Sequence, residues 1–211
     1  VALSLNNQTI NVTADSSGNW TYDGTKVRYI MVRKTLANTT ATSDGFLTIG
    51  DVSAIQTGTG TNLALGATQT VSNANAFYWA AGPFSTAGNI HDGSTTDLTT
   101  TFAEAYGTQT AYLTADGDAW VQLDLGAAYS LSSIVVYSRG GSSSYTDRTN
   151  GASVYASAID MSSMTHAQLN ASALVNSVVI SGLTANATAQ AFTNSATSIY
   201  GSELPASSTI T

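Results

Sequence analysis

The sequence predicts an all-β protein, and three observations support this prediction. Short runs of alternating apolar and polar residues recur along the 211-residue chain, separated by turn sequences rich in Gly, Asn, Asp and Ser. Thr, Ser, Asn, Gly and Ala dominate the composition, whereas charged residues contribute only 9%, against about 25% in an average soluble protein. Helical signals are few: residues 161–174 are expected to form one or two turns, with Asp160 as the N-cap.

The strongest predicted strands alternate clearly, and this alternation assigns their two faces. In residues 27–33, Val27 is predicted to share a face with Tyr29 and Met31. In residues 120–125, the apolar residues 121, 123 and 125 are predicted to face one way. Short strands separated by turns are typical of a β-sandwich or jelly roll. Further strands are predicted at residues 1–5, 9–13, 46–55, 131–137, 152–156 and 174–180, and residues 56–61 are predicted to form a flexible linker.

Charge and cysteine content exclude several function classes. Six basic and thirteen acidic residues give a net charge of -7, so phosphate contacts with nucleic acid are not expected. The chain has no cysteine, which excludes disulfides, zinc-thiolate sites and cysteine nucleophiles. No apolar run approaches the roughly 20 residues of a membrane helix, so membrane insertion is not expected. The only basic cluster, predicted to be a solvated strand face, consists of Lys26, Arg28, Arg33 and Lys34.

Sequence motifs of catalysis are missing, so the chain is not expected to be an enzyme. It contains no GxSxG, HExxH, P-loop or GxGxxG sequence, and its two histidines, His91 and His166, suggest no catalytic triad. Asp116 and Asp118 are interpreted as solvated turn residues. Scattered aspartates instead leave room for a cation such as Ca²⁺, which prefers oxygen ligands.

Five short motifs follow one another in the middle of the chain. They are NLALG at residues 62–66, NIHDG at 89–93, WVQLDLG at 120–126, LSSIVVYSR at 131–139 and RTNG at 148–151. In this order they resemble NLALGK, NAIDG, WWRVDLG, IxxVxIxxR and RLNG of the discoidin family (coagulation factor 5/8 type C domains, including the fucolectin-like and galactose-binding-like members). The resemblance covers roughly residues 62–157 and implies a discoidin-like jelly-roll β-sandwich.

The strands that normally close this family's domain are found at the other end of the chain. RYIMV at residues 28–32 resembles the family's RYVRV, and GFLTIGDVSAI at residues 45–55 resembles its last strand. Either the domain is circularly permuted, or residues 1–57 are strand-exchanged with a neighbouring copy or end a preceding repeat. Both interpretations divide the chain into terminal strands at 1–57 and a main body at 58–211.

The resemblance also implies a structural calcium ion. In the fucolectin-like branch, calcium lies between the NAIDG turn and the acidic residue of the last strand. Calcium takes about six to eight oxygen ligands, many of them from tight loops. The alternative is an Asx turn at Asp92 without metal. The positions implied here are Gly50, Asp51, Asn89, Asp92 and Ser94.

A sugar-binding site is implied by the same resemblance. Arg139 and Arg148 match the arginine pair of fucose-binding relatives, whereas the histidine of that site has no counterpart in residues 107–114. The alternative is that the two arginines make structural ion pairs with Asp147 or Asp124.

An aromatic run is the second candidate for ligand contact. Phe77, Tyr78 and Trp79 are consecutive in a polar neighbourhood and are expected in an apical loop, where aromatic faces stack on sugars. The alternative is that Trp79 and Phe84 close the end of the barrel.

Together these features predict a non-catalytic, extracellular carbohydrate-binding module, lectin-like and stabilised by Ca²⁺. Its expected location is extracellular, on a cell surface or on a virion surface, and its expected partners are glycans or other copies of itself in a homo-oligomer. The alternative is a structural subunit of a virion, fibre or surface layer that assembles by self-association. The displaced closing strands, the low charge and the missing cysteines favour that alternative.

Overall fold

In the described part of the chain, antiparallel strands make up nearly all of the regular structure, in agreement with the predicted all-β class. A computed structural model describes residues 2–5, 8–11, 13–14, 20–22, 26–35, 46–72, 89–93, 109–112, 118–137, 149–172, 174–180, 190–192 and 199–201. Helix α1 (His166–Ala171) and the 3-10 helices Leu63–Gly66 and Asn89–His91 are short. The strands are β1 (Ala2–Leu5), β2 (Gln8–Asn11), β3 (Thr13–Ala14), β4 (Trp20–Tyr22), β5 (Lys26–Thr35), β6 (Phe46–Thr48), β7 (Asp51–Gln56), β8 (Thr68–Val71), β9 (Gln109–Tyr112), β10 (Asp118–Tyr137), β11 (Ser153–Ser157), β12 (Asn176–Val179), β13 (Gln190–Phe192) and β14 (Ile199–Gly201).

Strand β10, 20 residues long, connects seven strands into one sheet. Its first half pairs antiparallel with β5 on one edge and β8 on the other, and its second half pairs with β7 and β13. Strand β5 also pairs with β11, which pairs with β12. Strands β5 and β7 come from the predicted terminal part, residues 1–57, and they pair with strands of the predicted main body, residues 58–211. Smaller antiparallel sheets contain β1–β2, β3–β4–β14 and β6–β9.

The two halves of β10 meet at an irregularity. The sequence predicts separate strands at 120–125 and 131–137, whereas the structure has one strand whose register with β5 shifts between Asp124 and Tyr129. Within that shift Gly126 has a φ of +82°, a conformation that costs glycine little. Gly126 therefore allows β10 to continue as one strand through both halves of the sheet.

The larger hydrophobic cluster contains the apolar face of β10, where residues 121, 123 and 125 are buried as predicted. Val27 belongs to the same cluster as Ile30 and Val32, so its predicted placement with Tyr29 and Met31 is wrong. The register shift lies opposite Val27 and Tyr29 and interrupts the simple alternation. The fully buried members of the cluster include Val27, Ile30, Val32, Leu47, Ile49, Val52, Ala54, Ile90, Val121, Leu123, Ile134, Val136, Val154 and Ile180.

A second cluster contains Met31 and Tyr155, which lie on the neighbouring strands β5 and β11, with residues that follow β11.

Thr165 is the N-cap of α1, and its hydroxyl and the Gln168 side chain form a capping box. The predicted N-cap, Asp160, instead accepts a hydrogen bond from the Ser162 amide at 2.8 Å, so it closes a turn before the helix. Besides Met31 and Tyr155, the buried residues of the second hydrophobic cluster are Ile159, Met161, Met164 and Leu169.

The basic cluster of β5 is not a solvated face. Arg33 and Lys34 are buried, and their strand β5 lies between β10 and β11. The Arg33 Nη1 donates to the main-chain oxygen of Met164 at 2.6 Å, which supplies a polar partner inside the protein. Of the four residues, Lys26 is exposed, and Arg28 is partly exposed and binds Asp124.

The predicted flexible linker at residues 56–61 is an ordered, hydrogen-bonded turn. The Gln56 amide donates to the Thr61 oxygen at 2.8 Å, and the Gly60 amide donates to the Gln56 oxygen at 3.0 Å. Gly58 and Gly60 both have positive φ, which explains the glycines in this sequence without any need for flexibility.

A chain reduced to residues 58–211 is expected to lose cooperative thermal unfolding, as followed by circular dichroism. It lacks β5, which lies between β10 and β11, and β7, so buried faces and backbone groups of β10 would be exposed. A chain that starts at residue 26 retains both strands and is the control. Cooperative unfolding of the 58–211 chain would show that the main body needs neither strand.

Candidate functional site

The candidate site lies where β7 begins. Strand β6 ends at Thr48 and β7 starts at Asp51, so the predicted single strand at 46–55 is interrupted. Within the interruption, the Gly50 amide donates to the Tyr137 oxygen at 2.7 Å, which attaches the chain to the end of β10. Gly50 and Asp51 are both buried, and the Asp51 side chain is therefore removed from bulk water.

The Asp51 carboxylate contacts the turn that follows the second 3-10 helix. Its Oδ2 accepts a hydrogen bond from the Gly93 amide at 2.9 Å, and its Oδ1 accepts one from the Ser53 hydroxyl at 3.4 Å. Burial raises the pKa of Asp51 to about 7, and the negative charge of nearby Asp92 acts in the same direction. The hydrogen bonds from Gly93 and Ser53 lower this pKa, but their effect is smaller than that of burial. Two acidic side chains thus approach each other at a place where one of them is desolvated.

The turn that carries Asp92 is held by packing on both sides. Ile90 is fully buried in the larger hydrophobic cluster. Gly93 has a φ of +80°, and a Cβ atom at this position would lie 2.9 Å from the Leu65 Cδ2 of the first 3-10 helix. A close approach and a left-handed backbone both favour glycine here. The NIHDG and NLALG motifs therefore meet in the structure.

Asn62 connects the first 3-10 helix to β7. Its Oδ1 accepts hydrogen bonds from the Ala54 amide at 2.9 Å and the Ala64 amide at 3.1 Å. Its Nδ2 donates to the Ser53 hydroxyl at 3.3 Å. Asn62 and Ser53 belong to motifs in the sequence, but neither was predicted as a site residue, because these contacts depend on how β7 and the helix lie together.

The structure brings three of the five predicted calcium ligands to one place: Gly50, Asp51 and Asp92. Asn89 begins the second 3-10 helix, but its side chain lies outside the described residues, as does the whole of Ser94. Among the residues described, no group of three or more His, Cys, Asp or Glu side chains could hold a metal ion.

The donor set suits a hard cation. A buried carboxylate with a raised pKa beside a second carboxylate is unfavourable when both are charged, and a cation between them would offset this repulsion. Calcium completes its coordination with main-chain carbonyl and side-chain oxygens, which tight turns supply. The residues that are described therefore fit calcium better than a metal that requires imidazole or thiolate ligands.

The predicted sugar-contacting residues Phe77, Tyr78, Trp79, Arg139 and Arg148 lie outside the described residues, so their roles stay predictions.

Asp124, considered above as a partner for one of these arginines, is bound by Arg28 instead. The Arg28 Nε donates to Asp124 Oδ1 at 2.8 Å, and its Nη2 donates to Oδ2 at 2.9 Å. This two-bond contact lowers the pKa of Asp124. The pair joins β5 to β10 beside the register shift, which is a structural role.

A further polar cluster anchors α1 to β11. The Tyr155 hydroxyl donates to Asn170 Oδ1 at 2.9 Å and lies 3.0 Å from His166 Nδ1. Asn170 Nδ2 lies 3.0 Å from His166 Nε2. Each side chain of the cluster contacts the other two, which accounts for His166 as a helix-anchoring residue.

Comparison with known proteins gave no match to a family model, to a curated protein or to a solved structure. In the described part of the chain, no helix has both the length and the apolar character needed to span a membrane.

Replacement of Gly93 by Ala is expected to lower the free energy of unfolding by about 1–2 kcal/mol, because an alanine disfavours positive φ. Urea unfolding measures the change. Gly66→Ala is the matched control, since a Cβ at Gly66 meets no atom within 4 Å and its φ is not positive. Equal stability of the Gly93 and Gly66 variants would contradict the left-handed, closely packed backbone at Gly93.

Without divalent cations, the free energy of unfolding is expected to fall as the pH rises from about 4 towards 7, by on the order of 1–4 kcal/mol. The pKa of Asp51 is about 7 in the folded chain, above its ordinary value of 3.8, so the folded state binds more protons in this interval. Urea unfolding in a chelating buffer at several pH values measures the slope. The Asp51→Asn variant should remove most of it, and an unchanged slope in that variant would exclude Asp51 as the cause.

Proposed function

We propose that this chain is a non-catalytic, extracellular carbohydrate-binding module with a discoidin-like jelly-roll β-sandwich that is stabilised by Ca²⁺. The observation that carries the proposal is the meeting of buried Asp51 with the turn at Asp92 and Gly93. These residues are 41 and 42 positions apart in the sequence, yet the Gly93 amide donates to the Asp51 carboxylate. The resemblance to fucolectin-like domains implies this same meeting of the last strand and the NIHDG turn.

The pairing of the N-terminal strands supports a circularly permuted discoidin order. The RYIMV segment lies in β5 beside the QLDLG-containing first half of β10, and the DVSAI segment lies in β7 beside its second half. The ordered turn at residues 56–61 then joins β7 directly to the NLALG helix. A permuted domain needs such a short connection between its original ends.

Calcium in this proposal has a structural role. The carboxylates of Asp51 and Asp92 would hold it, with Gly50, Asn89 and Ser94 as the further predicted ligands. A bound cation would neutralise two acidic groups that otherwise repel, and it would connect β7 to the NIHDG turn. This connection between β7 and the turn would support sugar binding, because loops supply the contacts and a stable scaffold holds the loops in position.

The proposed sugar contacts are Phe77, Tyr78 and Trp79, through stacking, together with Arg139 and Arg148, through hydrogen bonds to hydroxyl groups. The pairing of β5 with β10 and β11 of the same chain supports the circularly permuted order over strand exchange. The alternative function is a structural subunit of a virion, fibre or surface layer that assembles by self-association, and the low charge and the missing cysteines favour it.

A glycan array tests the function directly, with the wild-type chain probed in Ca²⁺ and in chelator. We expect binding to a restricted set of glycans, with affinity reduced by about tenfold or more in Trp79→Ala and in Arg148→Ala. Arg148→Lys is the graded control, because it keeps the charge but loses the two-bond contact of a guanidinium.

Two outcomes would contradict the proposal. The first is a wild-type array without bound glycans in either buffer. The second is concentration-dependent growth into large particles, seen by light scattering, which would favour the structural subunit.

A further inference from the structure

We infer that Asn62 and Ser53 are positioning residues that fix the Asp51 carboxylate for its cation. The two residues form a directional hydrogen-bond path that starts in the NLALG motif and ends on Asp51. This inference rests on the proposed calcium site, and it assigns that site a support that the resemblance does not supply.

The path begins with an amide whose orientation is determined by its neighbours. Asn62 Oδ1 faces two backbone donors, the amides of Ala54 and Ala64, at 2.9 Å and 3.1 Å. A rotated side-chain amide would point its NH₂ group at two N–H groups, so the observed orientation is the one that satisfies both donors. The NH₂ group of Asn62 must therefore point towards Ser53.

The orientation of the Asn62 amide determines the direction of the Ser53 hydroxyl. Asn62 Nδ2 donates to Ser53 Oγ at 3.3 Å, so Oγ acts as the acceptor in this contact. The hydroxyl proton is then directed to Asp51 Oδ1, at an Oγ–Oδ1 distance of 3.4 Å. Ser53 and Asp51 are two residues apart on β7, where alternate residues share a face, and both are buried.

The path ends at the carboxylate of Asp51. A carboxylate has about four lone-pair directions. Ser53 donates to Oδ1 and Gly93 donates to Oδ2, and Asp51 also shares a side-chain hydrogen bond with Asp92. Both oxygens are thus held in place, and a cation would take the place of the proton in the contact between Asp51 and Asp92. Leu65, three residues after Asn62, packs against Gly93, so the same short helix supports both sides of Asp51.

Outer partners of this kind orient metal ligands, and their loss typically weakens metal affinity by about 10- to 100-fold. We therefore expect Ser53→Ala to raise the Kd for Ca²⁺ by about tenfold in calorimetric titration with the metal alone. Asn62→Asp keeps the acceptor for Ala54 and Ala64 but replaces the donor that faces Ser53, so the hydroxyl would turn towards residue 62. We expect weaker Ca²⁺ binding in this variant too, although it adds a negative charge.

Ser132→Ala is the matched control. The Ser132 hydroxyl donates to the main-chain oxygen of Ile55, so this variant also loses a hydrogen bond to β7, but not one that leads to Asp51. Its Kd should equal that of the wild-type chain. Because Ser53 is buried and Ser132 is exposed, metal-free Ser53→Ala should melt at the lower temperature, so the Kd values are compared at a temperature where both variants are folded.

Hydrogen exchange at the Gly93 amide gives a readout that does not need the metal. If Ser53 holds Asp51 in place, exchange at Gly93 in metal-free Ser53→Ala should be about two- to tenfold faster than in the control. Unchanged exchange together with an unchanged Kd in Ser53→Ala would overturn the inference. A Kd in Asn62→Asp equal to or below the wild-type value would overturn the role of Asn62. If the wild-type chain binds no Ca²⁺, the calcium proposal fails, and exchange at Gly93 alone decides whether Ser53 positions Asp51.

Discussion

Strand β10 forms hydrogen bonds along both edges in each of its halves, and this double pairing constrains the rest of the sheet. Its first half lies between β5 and β8 and its second half between β7 and β13. If β10 slipped by one residue against these four strands, its buried apolar side chains would move to the opposite face of the sheet. All four pairings would be disrupted at once. The change of partners from β5 to β7 falls just after the shift, between Ser130 and Leu131. The position of Asp51 follows from this constraint, because it pairs with Tyr137, the last residue of β10.

Strand β5 shows how a polar sequence is accommodated in a central position. Arg33 and Lys34 are removed from water, and a buried charged group is unfavourable unless it has polar partners. Arg33 bonds to the Met164 oxygen, in the segment that follows β11. Arg28, near the start of the strand, binds Asp124 of β10 beside the register shift. These two arginines thus connect β5 to β10 and to the segment that follows β11.

Alternation in the sequence was sufficient to assign the buried face of residues 121–125, because each residue there obeys the simple two-residue period. It failed for Val27 and for Arg33, because a register shift and burial on both faces depend on partners distant in the chain. The capping box at Thr165 and Gln168 was visible as a TxxQ pattern, and it would have placed the helix correctly. No local pattern could reveal the path from Asn62 through Ser53, which exists only because β7 and the first 3-10 helix meet.

Asp51, at the start of β7, is an electrostatically unfavourable residue when it is considered alone. Burial and the proximity of Asp92 both disfavour its charged form. The surrounding contacts nevertheless keep both carboxylate oxygens in fixed positions, through Gly93 on one side and Ser53 on the other. A group that served only to fill the core would be better replaced by an apolar residue, since the replacement of buried charges by well-packed hydrophobic groups is often neutral or stabilising. In the proposed calcium site, a cation between Asp51 and Asp92 would offset their repulsion and would add an attraction between the turn and the strand.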